Sequence, residues 1–353
     1  MHPPVSTLHR FYFEPAAQLS FIDSQSVELV VTSPPYPMIA MWDAGFSAVD
    51  PEVERALEQG QGQMAFERMH WQLDAVWKEM ERCLVPGGIA CINIGDATRT
   101  IGGVFSLYAN HARIITAMER LGMRCLPLIL WRKPTNAPNK FMGSGMLPPG
   151  AYVTLEHEYV LVFRKGDNRG FAKTKARELR NQSAYFWEER NQWFSDLWEF
   201  RGAQQKMGRN AARARSAAFP LELPFRLIQM YSVAGETVLD PFAGTGTTAL
   251  AALVSGRNSL SVEVQPELRS IIRDTFAATT LEQLNARQRL RLQEHLDFVA
   301  ARGADRFKHH NAFYDFPVMT RQEIQLQLPA LEAFQWQAAD QLEGHYGVLK
   351  ADF

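Results

Sequence analysis

The chain has 353 residues, 46% of them hydrophobic and 21% charged, with a net charge of −1. This length suits one large α/β domain with additions, or two closely joined domains. The lack of any run of eighteen apolar residues argues against a membrane span, and Met1-His2-Pro3-Pro4 lacks the basic and apolar stretches of a secretory signal. The three cysteines, Cys83, Cys91 and Cys125, form no CxxC pair and sit beside apolar residues. They read as buried reduced thiols in a cytoplasmic protein.

In chain order, Val27 to Val31 reads as a buried strand of a parallel sheet because β-branched residues dominate it. Residues 38–66 are rich in Gln, Glu and Gly and read as a partly helical excursion from the core. Trp71 to Leu84 has helical spacing at Leu73, Val76, Trp77, Met80 and Leu84. Pro86-Gly87-Gly88 stops that helix before a strand at Ile89 to Ile94. A helix follows at Asn110 to Leu121, then strands at Leu126 to Trp131 and Glu158 to Arg164 around a polar loop. Leu221 to Met230 and Thr248 to Ser255 are helices, and Leu260 to Val264 is a further strand. Alternating strands and helices from 27 to 264 imply a doubly wound α/β fold with a mainly parallel sheet. Beyond Thr280 the strand signal is weak, and residues 280–353 read as a helical C-terminal extension.

Charge is unevenly distributed. Residues 164–215 hold thirteen Lys/Arg against six Asp/Glu, whereas residues 38–79 hold three against eight. A nearly neutral chain can therefore still present a basic segment that tracks phosphates. Metal is not expected, since clustered Cys/His ligands are lacking; His309-His310 reads as an exposed pair.

Two strand-ending turns carry the chemistry. Asp240-Pro241-Phe242-Ala243-Gly244-Thr245-Gly246-Thr247-Thr248 lies between a strand and a helix, and Glu263 ends the next strand. Glycines there allow close backbone approach to a ligand, the helix start offers free N–H groups, and an acid at that spacing suits ribose hydroxyls. No Gly-Lys-Ser/Thr follows, which excludes a Walker loop. The earlier turn, Ser33-Pro34-Pro35-Tyr36, follows the first buried strand.

Both turns resemble motifs of the DNA amino-methyltransferases. In order they resemble the permuted β arrangement, with the target motif before the cofactor motif and a recognition region between. The resemblance covers about residues 20–265. It extends to Leu84-Val85-Pro86-Gly87-Gly88, Trp131-Arg132-Lys133-Pro134-Thr135-Asn136, Glu156 to Phe163, Ser195-Asp196-Leu197-Trp198, and Ala218-Phe219-Pro220 with Leu223-Pro224. It implies a Rossmann-like sheet that binds S-adenosylmethionine. Gly244 and Gly246 would bed the methionine part, Glu263 would hold the ribose, Phe242 and Thr247 would lie near the cofactor, and Phe219 and Pro220 would close over the methionine end. Asp240 would orient the turn or meet the cofactor's amino group. Relatives usually carry His-Pro where this chain has Arg215-Ser216.

The resemblance also makes Ser33, Pro34, Pro35 and Tyr36 the catalytic set. An exocyclic base amine is a poor nucleophile because its lone pair is delocalised into the ring. Hydrogen bonds to the Ser33 hydroxyl and the Pro34 carbonyl would draw it toward tetrahedral geometry, the prolines would fix that carbonyl, and Tyr36 would stack on the extruded base. Ser33 favours N4 of cytosine, since adenine-directed relatives more often carry Asp or Asn there; N6 of adenine is the alternative. C5 chemistry is set aside because no cysteine follows a proline. Lys133, Arg177, Arg180 and Arg209 are expected to contact DNA. The implied division is 1–164 as the catalytic half, 165–215 as target recognition, 216–279 as the cofactor half and 280–353 as the extension. DNA is the expected partner, with a homodimer and a cognate restriction endonuclease left open. A protein-glutamine methyltransferase and a non-catalytic DNA-binding scaffold are the competing readings; the motif order and the intact motifs speak against them.

Overall fold

A computed structural model of the chain describes residues 6–133, 142–202 and 219–351. Its strands are, in chain order, β1 (Ser6–Tyr12), β2 (Val27–Thr32), β3 (Leu84–Ile94), β4 (Ala97–Ile101), β5 (Val104–Tyr108), β6 (Met123–Arg132), β7 (Met142–Gly143), β8 (Ala151–Tyr152), β9 (His157–Lys165), β10 (Leu197–Glu199), β11 (Thr237–Asp240), β12 (Asn258–Val262), β13 (His309–His310), β14 (Pro317–Val318), β15 (Pro329–Ala338) and β16 (Gln341–Val348). The α-helices are α1 (Asp43–Val49), α2 (Glu52–Glu58), α3 (Gly62–Cys83), α4 (Asn110–Arg120), α5 (Thr174–Gln182), α6 (Trp187–Trp193), α7 (Glu222–Tyr231), α8 (Thr247–Val254), α9 (Leu268–Ala277) and α10 (Leu281–Arg302).

Ten strands form one sheet in the order β10-β6-β9-β3-β2-β11-β12-β1-β16-β15. Among the described strands of that sheet, only β9 and β16 run against the rest. From β2 the chain crosses to β3 on one side, and from β11 to β12 on the other. The strand order therefore reverses between β2 and β11, which are parallel neighbours with Val238 opposite Leu29 and Leu239 opposite Val30. Ligands of doubly wound sheets bind outside the carboxyl ends of the strands at such a point.

Alternation along the strands builds a core on each face. Val30, Ala90, Ile92, Leu161, Phe163 and Leu239 face one layer with α3 and α4, whose Met69, Leu73, Trp77 and Ile114 are buried there. Leu29, Val31, Cys91, Val160, Val162 and Val238 face the other layer with α7, α8 and α9. The expected doubly wound fold is present, and the excursion at 38–66 holds α1, α2 and the start of α3.

Cys83 and Cys91 are buried as expected, whereas Cys125 is exposed. Two features of the fold correct the sequence reading. The C-terminal extension is helical only through α10 and the short turns after it; β15 and β16 then form a hairpin that extends the main sheet beside β1. The period-two signal was present at Leu342, Gly344 and Tyr346, which alternate inward. Strand β1 was also overlooked, because two of its three inward residues, Thr7, His9 and Phe11, are polar. They are satisfied rather than solvated: His9 bonds Thr7 and Ser259, and Thr7 bonds the Tyr346 hydroxyl. Burial lowers the His9 pKa to about 3, so the ring is neutral.

The described part of the basic segment packs on the C-terminal piece. Phe186 shares a small core with Leu292, Tyr314, Phe316, Leu326 and Leu328. Buried Arg291 forks onto Glu189 at 2.5 and 2.8 Å, and His295 bonds Glu188 at 2.7 Å. Residues from 165–215 and 280–353 thus share one core. His309 is half-buried and pairs with Val318 in a two-strand ladder. Among the described residues no helix is long and apolar enough to cross a membrane, and no group of three or more Cys, His, Asp or Glu is arranged to hold a metal.

Candidate active site

The two turns emerge side by side from β2 and β11, and a buried carboxylate locks them together. Asp240, 2% exposed, accepts hydrogen bonds from Thr32 Oγ1 at 2.7 Å, Thr248 Oγ1 at 2.7 Å and the Phe242 amide at 3.1 Å. Burial raises its pKa to about 6 against the opposing pull of these three donors. Both carboxylate oxygens accept from the protein's own donors, across the seam between the target strand, the cofactor turn and α8.

The cofactor turn is held open by its own backbone. Gly246 caps α8 at φ +85°, and Gly244 sits at φ +53°, both in the left-handed region that favours glycine. A Cβ built on Gly244 would meet nothing within 4 Å, so the turn faces free space there. Glu263 reaches back across the turn, accepting from the Gly244 amide at 2.9 Å and the Gln265 amide at 2.9 Å. Burial raises its pKa as well. With two backbone donors bound, the carboxylate keeps lone pairs for hydroxyl donors. Phe242 is half-buried and meets Trp77 edge-on. Thr247 opens α8, Phe219 is buried in the core and Pro220 is half-buried.

The target turn is braced from below. Asn110 donates to the Pro37 and Gly95 carbonyls at 3.1 and 2.9 Å, and buried His70 bonds the Asn110 side chain at 2.9 Å. Burial lowers the His70 pKa to about 3. Met38 takes φ +66° and its amide meets Met69 Sδ at 3.3 Å. Ser33 is half-buried, and its hydroxyl donates to Tyr36 Oη at 3.1 Å. Tyr36 donates in turn to Glu158 Oε2 at 3.0 Å and accepts from Asn93 Nδ2 at 2.8 Å. Asn93 Nδ2 also donates to Glu158 Oε2 at 2.7 Å, and Lys133 Nζ pairs with Glu158 Oε1. Burial and the Glu158 charge push the Tyr36 hydroxyl well above its ordinary range, so it stays protonated. The Tyr36 ring is 5% exposed and backed by Gly95, where a Cβ would lie 3.1 Å from the ring. In this conformation little of its face is open for stacking.

The fold therefore gathers Ser33, Pro34, Pro35, Tyr36, Asp240, Phe242, Gly244, Gly246, Thr247 and Glu263 around the carboxyl ends of β2 and β11. Lys133, expected on DNA, is turned to Glu158 and lies 4.3 Å from the Trp131 ring centre. Arg177 and Arg180 are exposed on α5; Arg180 stacks on Phe171 and neither joins the turns. Arg209 and the Arg215-Ser216 pair fall outside the described residues. Sequence reasoning gave no role to Thr32, Asn93, Glu158 or Thr248. The available signal was polarity out of place: Asn93 inside the apolar run Ile89 to Ile94, and Glu158 at the head of another.

Comparison with known proteins fits this geometry. The N6/N4 family, described as DNA methylase, matches residues 27–274. The chain belongs to that family. The Type II methyltransferase M.MthZI of Methanothermobacter thermautotrophicus is 47% identical over 92% of this chain and 91% of its own length. M.MjaI of Methanocaldococcus jannaschii is 48% identical over 76% of this chain and 91% of its own. Among solved structures, Thermus thermophilus TTHA0409 in complex with S-adenosyl-L-methionine is 32% identical and matches with a TM-score of 0.59 over 76% of this chain and 95% of its own. This N6/N4 methylase is thus a DNA methyltransferase with S-adenosylmethionine as its cofactor. The open space beside Gly244, the left-handed glycines and the acid spanning the turn fit that cofactor.

Proposed function

We propose that this methylase modifies the exocyclic N4 of cytosine within a fixed DNA site, using the Ser33-Pro34-Pro35-Tyr36 turn. One observation carries the reading. The Ser33 hydroxyl spends its hydrogen on Tyr36, so toward a ligand Ser33 Oγ can act only as an acceptor. An amine N–H is the complementary donor.

S-adenosylmethionine, when bound, supplies an electrophilic methyl carbon on a sulfonium. Gly244, Gly246, Phe242 and Glu263 are the residues that would hold it. Ser33 Oγ and the Pro34 carbonyl would take the two amine hydrogens and free the nitrogen lone pair for in-line attack. Pro34 and Pro35 restrict the backbone that sets that carbonyl, and Asp240 ties the attacking side to the cofactor side. A base buried in a duplex must leave the stack to reach this turn, which makes base flipping part of the proposal. Serine at position 33 supports cytosine over adenine. The Type II names of the relatives support a fixed recognition site and a partner endonuclease.

Sequencing of DNA from cells expressing the chain, beside cells expressing Ser33→Ala, tests the reading. N4-methylcytosine in one context, lost in Ser33→Ala, is the expected result. N6-methyladenine would overturn the base assignment and keep the site. Unchanged methylation by Ser33→Ala would remove Ser33 from the chemistry.

A further inference from the structure

We propose that Glu158 is the acceptor for the proton that the target amine loses, reached through Ser33 and Tyr36. The inference rests on the amine-transfer reading above and assigns the exit of its second product.

Methylation of an amine must release a proton. The amine nitrogen bonds the methyl carbon, the carbon–sulfur bond breaks with its electron pair left on sulfur, and the nitrogen becomes positively charged until one N–H proton departs. In the described site the departing proton has a ready path. Ser33 donates to Tyr36 at 3.1 Å, and Tyr36 donates to Glu158 at 3.0 Å. Each donor in this chain already points away from the target side. A proton taken by Ser33 Oγ displaces the serine proton to Tyr36 Oη, whose own proton passes to Glu158 Oε2. Serine and tyrosine end neutral, and the carboxylate ends protonated.

Four features suit Glu158 to this end point. Lys133 pairs with its other oxygen, which leaves Oε2 to face Tyr36 and Asn93. Asn93 donates to both Tyr36 Oη and Glu158 Oε2, which fixes the geometry between them. Tyr36 is fully used, accepting from Ser33 and Asn93 and donating once to Glu158, so its hydrogen has a single direction. The Glu158 side chain is 14% exposed and that of Lys133 is 35% exposed, so the pair lies near solvent, where the proton can leave after turnover. Glu158 is thus a relay residue acting through Tyr36, not a group that touches the base.

The test measures single-turnover methyl transfer by the full chain to duplex DNA carrying its site, with cofactor and DNA dissociation constants measured alongside. Glu158→Gln, which keeps the shape and loses the acceptor, should slow transfer by about a hundred-fold and leave both dissociation constants within about two-fold of wild type. Glu158→Ala should be equally slow, and added formate should restore it several-fold while formamide, of similar size and uncharged, should not. A Glu158→Gln rate equal to wild type would overturn the relay, and so would equal rescue by formamide, which would make Glu158 a packing residue. A wild-type chain that binds cofactor yet methylates no DNA amine would instead overturn the functional reading, and the relay with it.

Discussion

Replacing Asp240 by Asn separates the two forces acting on the carboxylate that joins the turns. Burial disfavours its charge, whereas Thr32, Thr248 and the Phe242 amide favour it. Burial wins, raising the pKa from 3.8 to about 6. At 1.36 kcal/mol per tenfold change, the ionised form costs the folded state about 3 kcal/mol relative to the unfolded chain. The sign follows from proton binding. Between about pH 4 and 6 the folded state holds more protons at this group than the unfolded state, so its contribution falls as pH rises and is lost above 6. Asparagine cannot titrate, and its amide can bond the same threonine hydroxyls once they reorient. Urea denaturation of both chains at pH 4, 5, 6 and 7.5 should show wild type losing about 2.5 kcal/mol relative to Asp240→Asn across the series, the remainder being lost below pH 4. Taking the difference removes the other buried acids. A flat difference would mean that the three donors offset burial, and one that favours wild type as pH rises that they outweigh it; either would refute the reasoning.

Other perturbations probe separate parts of the molecule. Gly244→Val should abolish cofactor binding in calorimetry, because it forces a β-branched residue to φ +53° and fills the space the turn leaves open; an unchanged isotherm would remove the assignment. Alanine at both Arg177 and Arg180, which are exposed on α5, should weaken DNA binding and lower the salt slope by about two; titrations at several salt concentrations check this, and an unchanged slope would move the DNA surface elsewhere. Arg291→Met leaves Glu189 buried without its partner and should cost about 3–5 kcal/mol in urea unfolding. A loss under 1 kcal/mol would show that Glu189 finds other donors or takes a proton.

What the sequence determined was local. Val27 to Val31 and Thr237 to Leu239 are strands because β-branched and apolar residues dominate them, and the turns after them carry proline or glycine for reasons that act within a few residues. The motif order, the cofactor turn and the target turn follow from such short-range chemistry. Tertiary structure alone decided which side chains meet. Asp240 bonds Thr32 across 208 positions of chain, and Tyr36 bonds Glu158 across 122. No spacing rule encodes such pairs, because strand order and register create them. The same holds for β1, whose inward polar residues look wrong for a core until Ser259 and Tyr346 arrive to satisfy them. The charge of Lys133 is likewise legible in sequence, whereas its pairing with a carboxylate on a neighbouring strand is not. Burial makes polar residues seek partners at any sequence distance, and only the assembled sheet fixes which partner each finds.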